Sequence, residues 1–223
     1  GKKKKKRNIA DEETTRKLIA ALEEESIKYE TYFKLIIATG MRRGECCGLQ
    51  WSDIDFENST VSVTKAAAVV DGKQVCKAPK TKTSRREVSI PRFLTDRLHS
   101  MMVEQTKTKE SLGAYWKGNN WLFTQSDGSM MSYSTPYAAF QDAIDRYNAN
   151  KEPSDQLPHI PFHGLRHTSA TLLIAAHQDV RTVSNRLGHA QASTTMNIYA
   201  HALKENDRTA SNALENMLCK TEV

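Results

Sequence analysis

Two arginines, two histidines and a tyrosine stand in order along this chain: Arg42, His163, Arg166, His189 and Tyr199. Each residue type has a use in one chemistry. A guanidinium holds two non-bridging oxygens of a phosphate in a planar fork. An imidazole moves a proton near neutral pH. A phenol becomes an oxygen nucleophile once oriented and deprotonated. Together they suit transfer of a phosphoryl group from a phosphodiester to a protein hydroxyl. Taken singly, each has a plainer reading. Arg42 beside Arg43 reads as a solvated helix end, and His163 and Arg166 read as surface polar residues. His189 reads as a cation following a helix C-terminus, and Tyr199 as a core residue of a short helix.

The elements that must position these residues are mostly helical. A first helix begins near Asp11, with Glu12 and Glu13 in its first turn and an apolar stripe of Leu18, Ile19 and Leu22. A second carries Tyr29, Tyr32, Phe33, Ile36 and Ile37 at helical spacing and stops at Gly40, and a short helix follows over about Arg43 to Leu49. Alternation from Thr60 to Lys65, the Asp71-Gly72 turn after Val69-Val70, and the stretches Gln74 to Ala78 and Arg86 to Ile90 predict one antiparallel sheet of about three strands. Helix returns from about Phe93 to Gln105, and the polar stretch Thr106 to Asn120 reads as a loop. Trp121-Leu122-Phe123 reads as a short buried run, and Ser134 to Ala149 as a helix with Pro136 in its first turn. Pro153, Pro158 and Pro161 exclude helix before His163. The next helix is expected to turn Leu165, Ser169, Leu172, Leu173 and Ala176 to one face. Asp179 caps another, with Val180, Val183 and Leu187 inward and Gly188 as its stop. Ser193 could cap the helix of Tyr199, and an amphipathic helix from about Lys204 to Leu218 ends the pattern.

The residues also sit in strings: Thr39-Gly40-Met41-Arg42-Arg43-Gly44-Glu45, His163-Gly164-Leu165-Arg166-His167, Leu187-Gly188-His189 and Thr194-Thr195 ahead of Tyr199. The intervals are 3 from His163 to Arg166, 23 to His189 and 10 to Tyr199. In order, spacing and flanks, about Asp11 to Leu218 resembles the catalytic domain of the tyrosine recombinases, the integrase family of phages and conjugative transposons. The resemblance implies a mainly α fold with a small antiparallel sheet, shared with type IB topoisomerases. It implies a site-specific DNA recombinase working through a 3′-phosphotyrosine, with Arg42 and Arg166 holding the scissile phosphate and Tyr199 attacking it. His163 would accept the proton or position the tyrosine, His189 would bond a non-bridging oxygen, and Glu45 would brace Arg42. The family's general-acid lysine on a hairpin turn falls on Lys82, with Lys80 as the fallback. No cofactor, metal or ATP is called for, and the chain has neither a P-loop nor a carboxylate cluster suited to two metals.

The net charge of +6 comes from one place. Lys2, Lys3, Lys4, Lys5, Lys6 and Arg7 hold six of the 32 basic residues, and the other 26 match the 26 acidic ones. A domain that grips DNA must then segregate its cations. Lys77, Lys80, Arg85 and Arg86, together with Arg43 and the tail, are the expected phosphate contacts. Residues 1–8 read as a basic linker, with a nuclear localisation signal as the weaker alternative, and 9–223 as the catalytic domain; the N-terminal DNA-binding domain that the resemblance implies is expected to be absent from this chain. Cys46, Cys47, Cys76 and Cys219 have neither zinc spacing nor a disulfide pattern, and Cys46-Cys47 reads as small apolar packing. No apolar run approaches the roughly 20 residues of a membrane span. The expectation is a cytoplasmic, bacterial or phage-encoded protein acting at the nucleoid on double-stranded DNA. It would work as a homotetramer in the synaptic complex, with accessory excision or bending proteins as candidate partners and an isolated domain able to be monomeric. The alternatives are a type IB topoisomerase-like enzyme and a catalytically silent DNA-binding module.

Overall fold

Tyr32, Phe33, Leu35 and Ile36 are fully or almost fully buried, which puts the second helix at the centre of the molecule. In a computed structural model, residues 12–78, 85–118 and 120–189 are described, with 193, 195, 196, 211, 212, 214, 215 and 218 beyond them. The central helix is α2 (Ile27–Thr39), and α1 (Glu12–Glu23), α3 (Arg43–Cys47), α4 (Arg92–Leu112) and α6 (Gly164–Ala175) all pack on it. Its aromatic residues meet Phe123, Phe140 and Phe162 edge to face, with Tyr32 and Phe123 centroids 4.8 Å apart. Such pairs add roughly 0.5–1.5 kcal/mol each beyond area burial. The Tyr32 hydroxyl donates to the Arg43 carbonyl at 3.1 Å and contacts Cys47 Sγ at 3.2 Å. Cys46 and Cys47 are buried as small apolar groups, and burial pushes the Cys47 thiol up to about 11.

The strands form two sheets. One is three-stranded, with β2 (Thr60–Val63) between β1 (Ile54–Asp55) and β5 (Arg86–Ser89), all antiparallel. The other is the hairpin of β3 (Ala66–Val70) and β4 (Lys73–Lys77) around Asp71-Gly72, both residues at positive φ. The single sheet expected from alternation is therefore corrected. β3 lies on α3, where Gly44 and Gly48 bring the backbones together, since a Cβ on Gly44 would run into the Ala67 carbonyl. The segment between β4 and β5 thus joins two sheets rather than closing a hairpin.

Two further expectations are corrected. α4 runs to Leu112 and passes into a 3-10 turn over Gly113–Tyr115, where a loop was expected. Lys107, Lys109 and Glu110 are good helix formers, and the Thr106 and Thr108 hydroxyls return to the carbonyls of Met102 and Glu104, so polarity alone did not end the helix. In α6, Leu172 is exposed, and the buried face holds Leu165, Arg166, Thr168, Ser169, Ala170 and Ile174. α5 (Thr135–Asn148) packs on α1. α7 (Val180–Leu187) is capped by Asp179, whose carboxylate accepts from Thr182 N at 2.9 Å, and ends at Gly188 in the left-handed conformation. Val183 and Leu187 seat it on α6. No helix among the described residues is long and apolar enough to cross a membrane.

Candidate active site

Four turns and helix ends converge to make the site. After α2, Gly40 turns left-handed at φ 65°. Any Cβ there would overlap Leu187 Cδ2, so the glycine lets α7 approach as well as the chain turn. Thr39 fastens the turn from within, its hydroxyl donating to the Leu35 carbonyl at 2.6 Å and accepting from Met41 N at 3.3 Å. The Gly40 carbonyl accepts from Arg166 Nη1 at 2.6 Å. Arg166 is 3% exposed and rises from the first turn of α6.

Two residues on, Arg42 stands in extended backbone just before α3. Glu45, 3% exposed, reaches back to it twice: Oε2 accepts from Arg42 N at 2.9 Å and Oε1 from Nη1 at 2.8 Å. Arg42 Nη2 donates to the Gly188 carbonyl at 3.5 Å. From β5, Arg86 donates through Nη2 to Glu45 Oε2 at 2.9 Å and through Nε to the Arg186 carbonyl at 2.7 Å. Burial pushes the Glu45 carboxyl up, but the bonds and charges of Arg86 and Arg42 outweigh it and hold the group below the ordinary carboxylate value. Glu45 is thus a charged brace beneath the site.

A cavity of about 280 Å³ opens above this brace. Arg42, Arg43, His163 and Arg166 are its polar lining, and Ile36, Met41, Tyr133 and Phe162 its apolar lining. Among the described residues no acidic side chain lines it, which suits an anion. His163 sits exposed at the start of α6 with its ring edge-on to His167, centroids 4.9 Å apart. His189 follows Gly188, and its Nδ1 lies 2.8 Å from Thr195 Oγ1. Its pKa is lowered to about 4, first by burial and then by the charges of Arg166, Arg42, His163 and His167. The ring is therefore neutral at physiological pH, among positive groups. The arrangement can bind a phosphate through two guanidinium groups, offer a neutral imidazole donor and accept a proton at the rim.

Arg42, Glu45, His163, Arg166 and His189 are brought together. Tyr199, Lys80, Lys82 and the tail Lys2 to Arg7 lie outside the described residues, as do Asp11, Cys219 and most of the 204–218 stretch. Lys77 and Arg85 are exposed on either side of the undescribed 79–84 segment. Arg43 lays its guanidinium on the Tyr133 ring, 3.8 Å from the centroid, at the cavity wall. Arg86, expected among surface phosphate contacts, is turned inward with its side chain 7% exposed. Sequence reasoning also passed over Arg186, whose Nη2 donates to the carbonyls of Ala38 at 2.9 Å and Ser89 at 3.0 Å and so ties α7 to α2 and β5. The signal for Arg86 was available: it shares strand parity with Val88 and Ile90, both buried.

Known proteins share the family and the fold. The model of the Phage integrase family matches residues 8–206. The ICEBs1 integrase of Bacillus subtilis (strain 168) is 29% identical over 96% of this chain and 56% of its own length. A tyrosine recombinase XerC-like protein of Caldanaerobacter subterraneus subsp. tengcongensis is 31% identical over 94% of this chain and 54% of its own. The chain thus spans about half the length of these curated relatives. Among solved structures, the Tn1549 transposon integrase in complex with transposon right end DNA superposes with a TM-score of 0.75 at 23% identity, covering 92% of this chain and 65% of that one. XerA recombinase superposes at 0.66 and 23%, covering 90% and 64%. With the family model matched along most of its length and the same fold in these structures, the chain belongs to the phage integrase family of tyrosine recombinases.

Proposed function

We propose that this chain is the catalytic part of a site-specific DNA recombinase that cleaves and rejoins DNA through a 3′-phosphotyrosine intermediate. The observation that carries the reading is the anion cavity lined by Arg42, Arg166 and His163, beside which burial, and then their charge, holds His189 neutral. Arg42 and Arg166 would grip the non-bridging oxygens and stabilise the charge that develops on them. Tyr199 Oη attacks phosphorus and its proton passes to His163. The bond from phosphorus to the 5′ oxygen breaks, and that oxygen takes a proton from Lys82, with Lys80 as the fallback. His189 donates a hydrogen bond to a non-bridging oxygen, and an anion beside it would offset the arginine field and raise its pKa. In the return step a 5′ hydroxyl of another strand attacks the phosphotyrosine and the tyrosine leaves. One phosphodiester is exchanged for another, so the reaction needs neither ATP nor a metal.

The proposed partner is double-stranded DNA, which the Tn1549 integrase structure contains. A homotetramer would form in synapsis, and accessory bending or excision proteins would set direction. The test is a pool of nicked duplexes randomised across the recognition region, incubated with the chain in excess EDTA and resolved on a denaturing gel. A covalent protein–DNA adduct is expected, and Tyr199→Phe should abolish it. Absence of a Tyr199-dependent adduct, or one that requires magnesium, would overturn the reading. Linking-number relaxation without strand exchange would transfer the assignment to a topoisomerase.

A further inference from the structure

Thr195 is fully buried, and its hydroxyl oxygen lies 2.8 Å from His189 Nδ1. The contact joins two stretches of chain. His189 follows the left-handed stop of α7, whereas Thr195 lies in helical backbone with Ser193 and Met196, four positions before Tyr199. A neutral imidazole has one donor and one acceptor nitrogen, and the partner of one decides the role of the other. Among the described residues, the charged and titratable groups acting on this ring are Arg166, Arg42, His163 and His167, all basic. With Nδ1 taken, only Nε2 remains for an anion held by these basic groups. A non-bridging phosphate oxygen needs a donor there. Both demands are met one way: the Thr195 hydroxyl donates to Nδ1, and Nε2 carries the proton.

We propose that Thr195 is a positioning residue that locks His189 in the Nε2–H tautomer. The tautomer rests on an anion held by these basic groups, and the use of the Nε2 proton in cleavage rests further on the recombinase reading.

The tautomer is read by nitrogen-15 NMR of the chain labelled at its seven histidines, with His189 assigned from His189→Gln. Wild type and Thr195→Ser should show a protonated Nε2 and a bare Nδ1, and Thr195→Val should lose this single state. A protonated Nδ1 in wild type, or an unchanged spectrum in Thr195→Val, would overturn the proposal. So would a serine variant behaving as the valine one, because packing of the methyl group would then be what matters. Wild type and the serine variant decide the matter even if the valine variant does not fold. On the nicked-duplex pool, Thr195→Val should cleave about 10-fold slower or worse, the scale at which partners of a histidine's second nitrogen act, and Thr195→Ser should stay near wild type. No adduct from any variant, wild type included, would instead overturn the recombinase reading and with it the use of the Nε2 proton.

Discussion

Glu45 determines how the basic groups around the cavity are held. Its carboxylate binds Arg42 and Arg86 together, and it is almost wholly buried, so neither arginine can lose it cheaply. Glu45→Gln keeps the shape and one acceptor oxygen but leaves Arg86 buried beside a neutral amide. It should destabilise the protein by roughly 3 kcal/mol at pH 7, the lower end for removing one member of a buried pair, as measured by urea unfolding. Because the native pKa of Glu45 lies below the unfolded value, its contribution is present above about pH 4 and is lost as pH falls through the native value. The deficit of the variant should therefore shrink in acid. His189 works over another window. Its native pKa of about 4 lies below the ordinary 6.5, so from pH 6.5 downward the unfolded chain takes a proton that the folded one refuses. Stability should fall across that interval, and the wild-type minus His189→Gln difference should carry the slope. A flat difference between pH 6.5 and 4 would remove the depressed pKa from the account. The types and order of these residues were legible in the sequence. Their mutual bracing was not, because Arg86 and Glu45 are 41 positions apart and only the fold makes them neighbours.

The junction of α2, α6 and α7 shows what the elements contribute. Gly40 serves three ends at once: it stops α2, presents its carbonyl to Arg166 and leaves room for Leu187. Gly40→Ala should cost roughly 2–4 kcal/mol, from a non-glycine residue at positive φ and from overpacking against α7. A thermal scan would measure it, and an unchanged midpoint would mean that α7 shifts freely. Helix ends were readable here because Gly40 and Gly188 as stops and Asp179 as a start are local signals. The sheets were less so. Alternation marks a strand but not its partner, and β5 found β2 across the intervening hairpin. The inward face of α6 was misjudged in part for a related reason: Leu165 and Ser169 are inside as expected, but Arg166 and Thr168 join them, Arg166 donating to the Gly40 carbonyl, while Leu172 was left outside. Hydrophobic periodicity is least informative where a helix turns polar groups inward for function.

At the scale of the whole molecule, charge is divided between a tail and a neutral remainder. Lys2 to Arg7 carry a charge equal to the net +6 and have no apolar residue to bury, whereas the rest of the chain balances its acids and bases. In that remainder the cations are sorted by location: Arg42, Arg43 and Arg166 line the cavity, and Glu45 is held beneath it. On the recombinase reading the tail contacts phosphates without reading sequence, and the cavity selects one phosphate for chemistry. Each phosphate contact contributes about −0.9 to the slope of log K against log salt. Deleting residues 1–7 should make that slope shallower by roughly 2–5, depending on how many of the six charges engage. Preference among DNA sequences should barely change, since phosphate contacts position rather than specify. Covalent cleavage at saturating DNA should also persist, because the cavity keeps its own arginines. Titrations at several salt concentrations, with and without the tail, separate the two contributions. Identical slopes would show that the tail is a passive tether and that the neutral remainder grips DNA through its own segregated face.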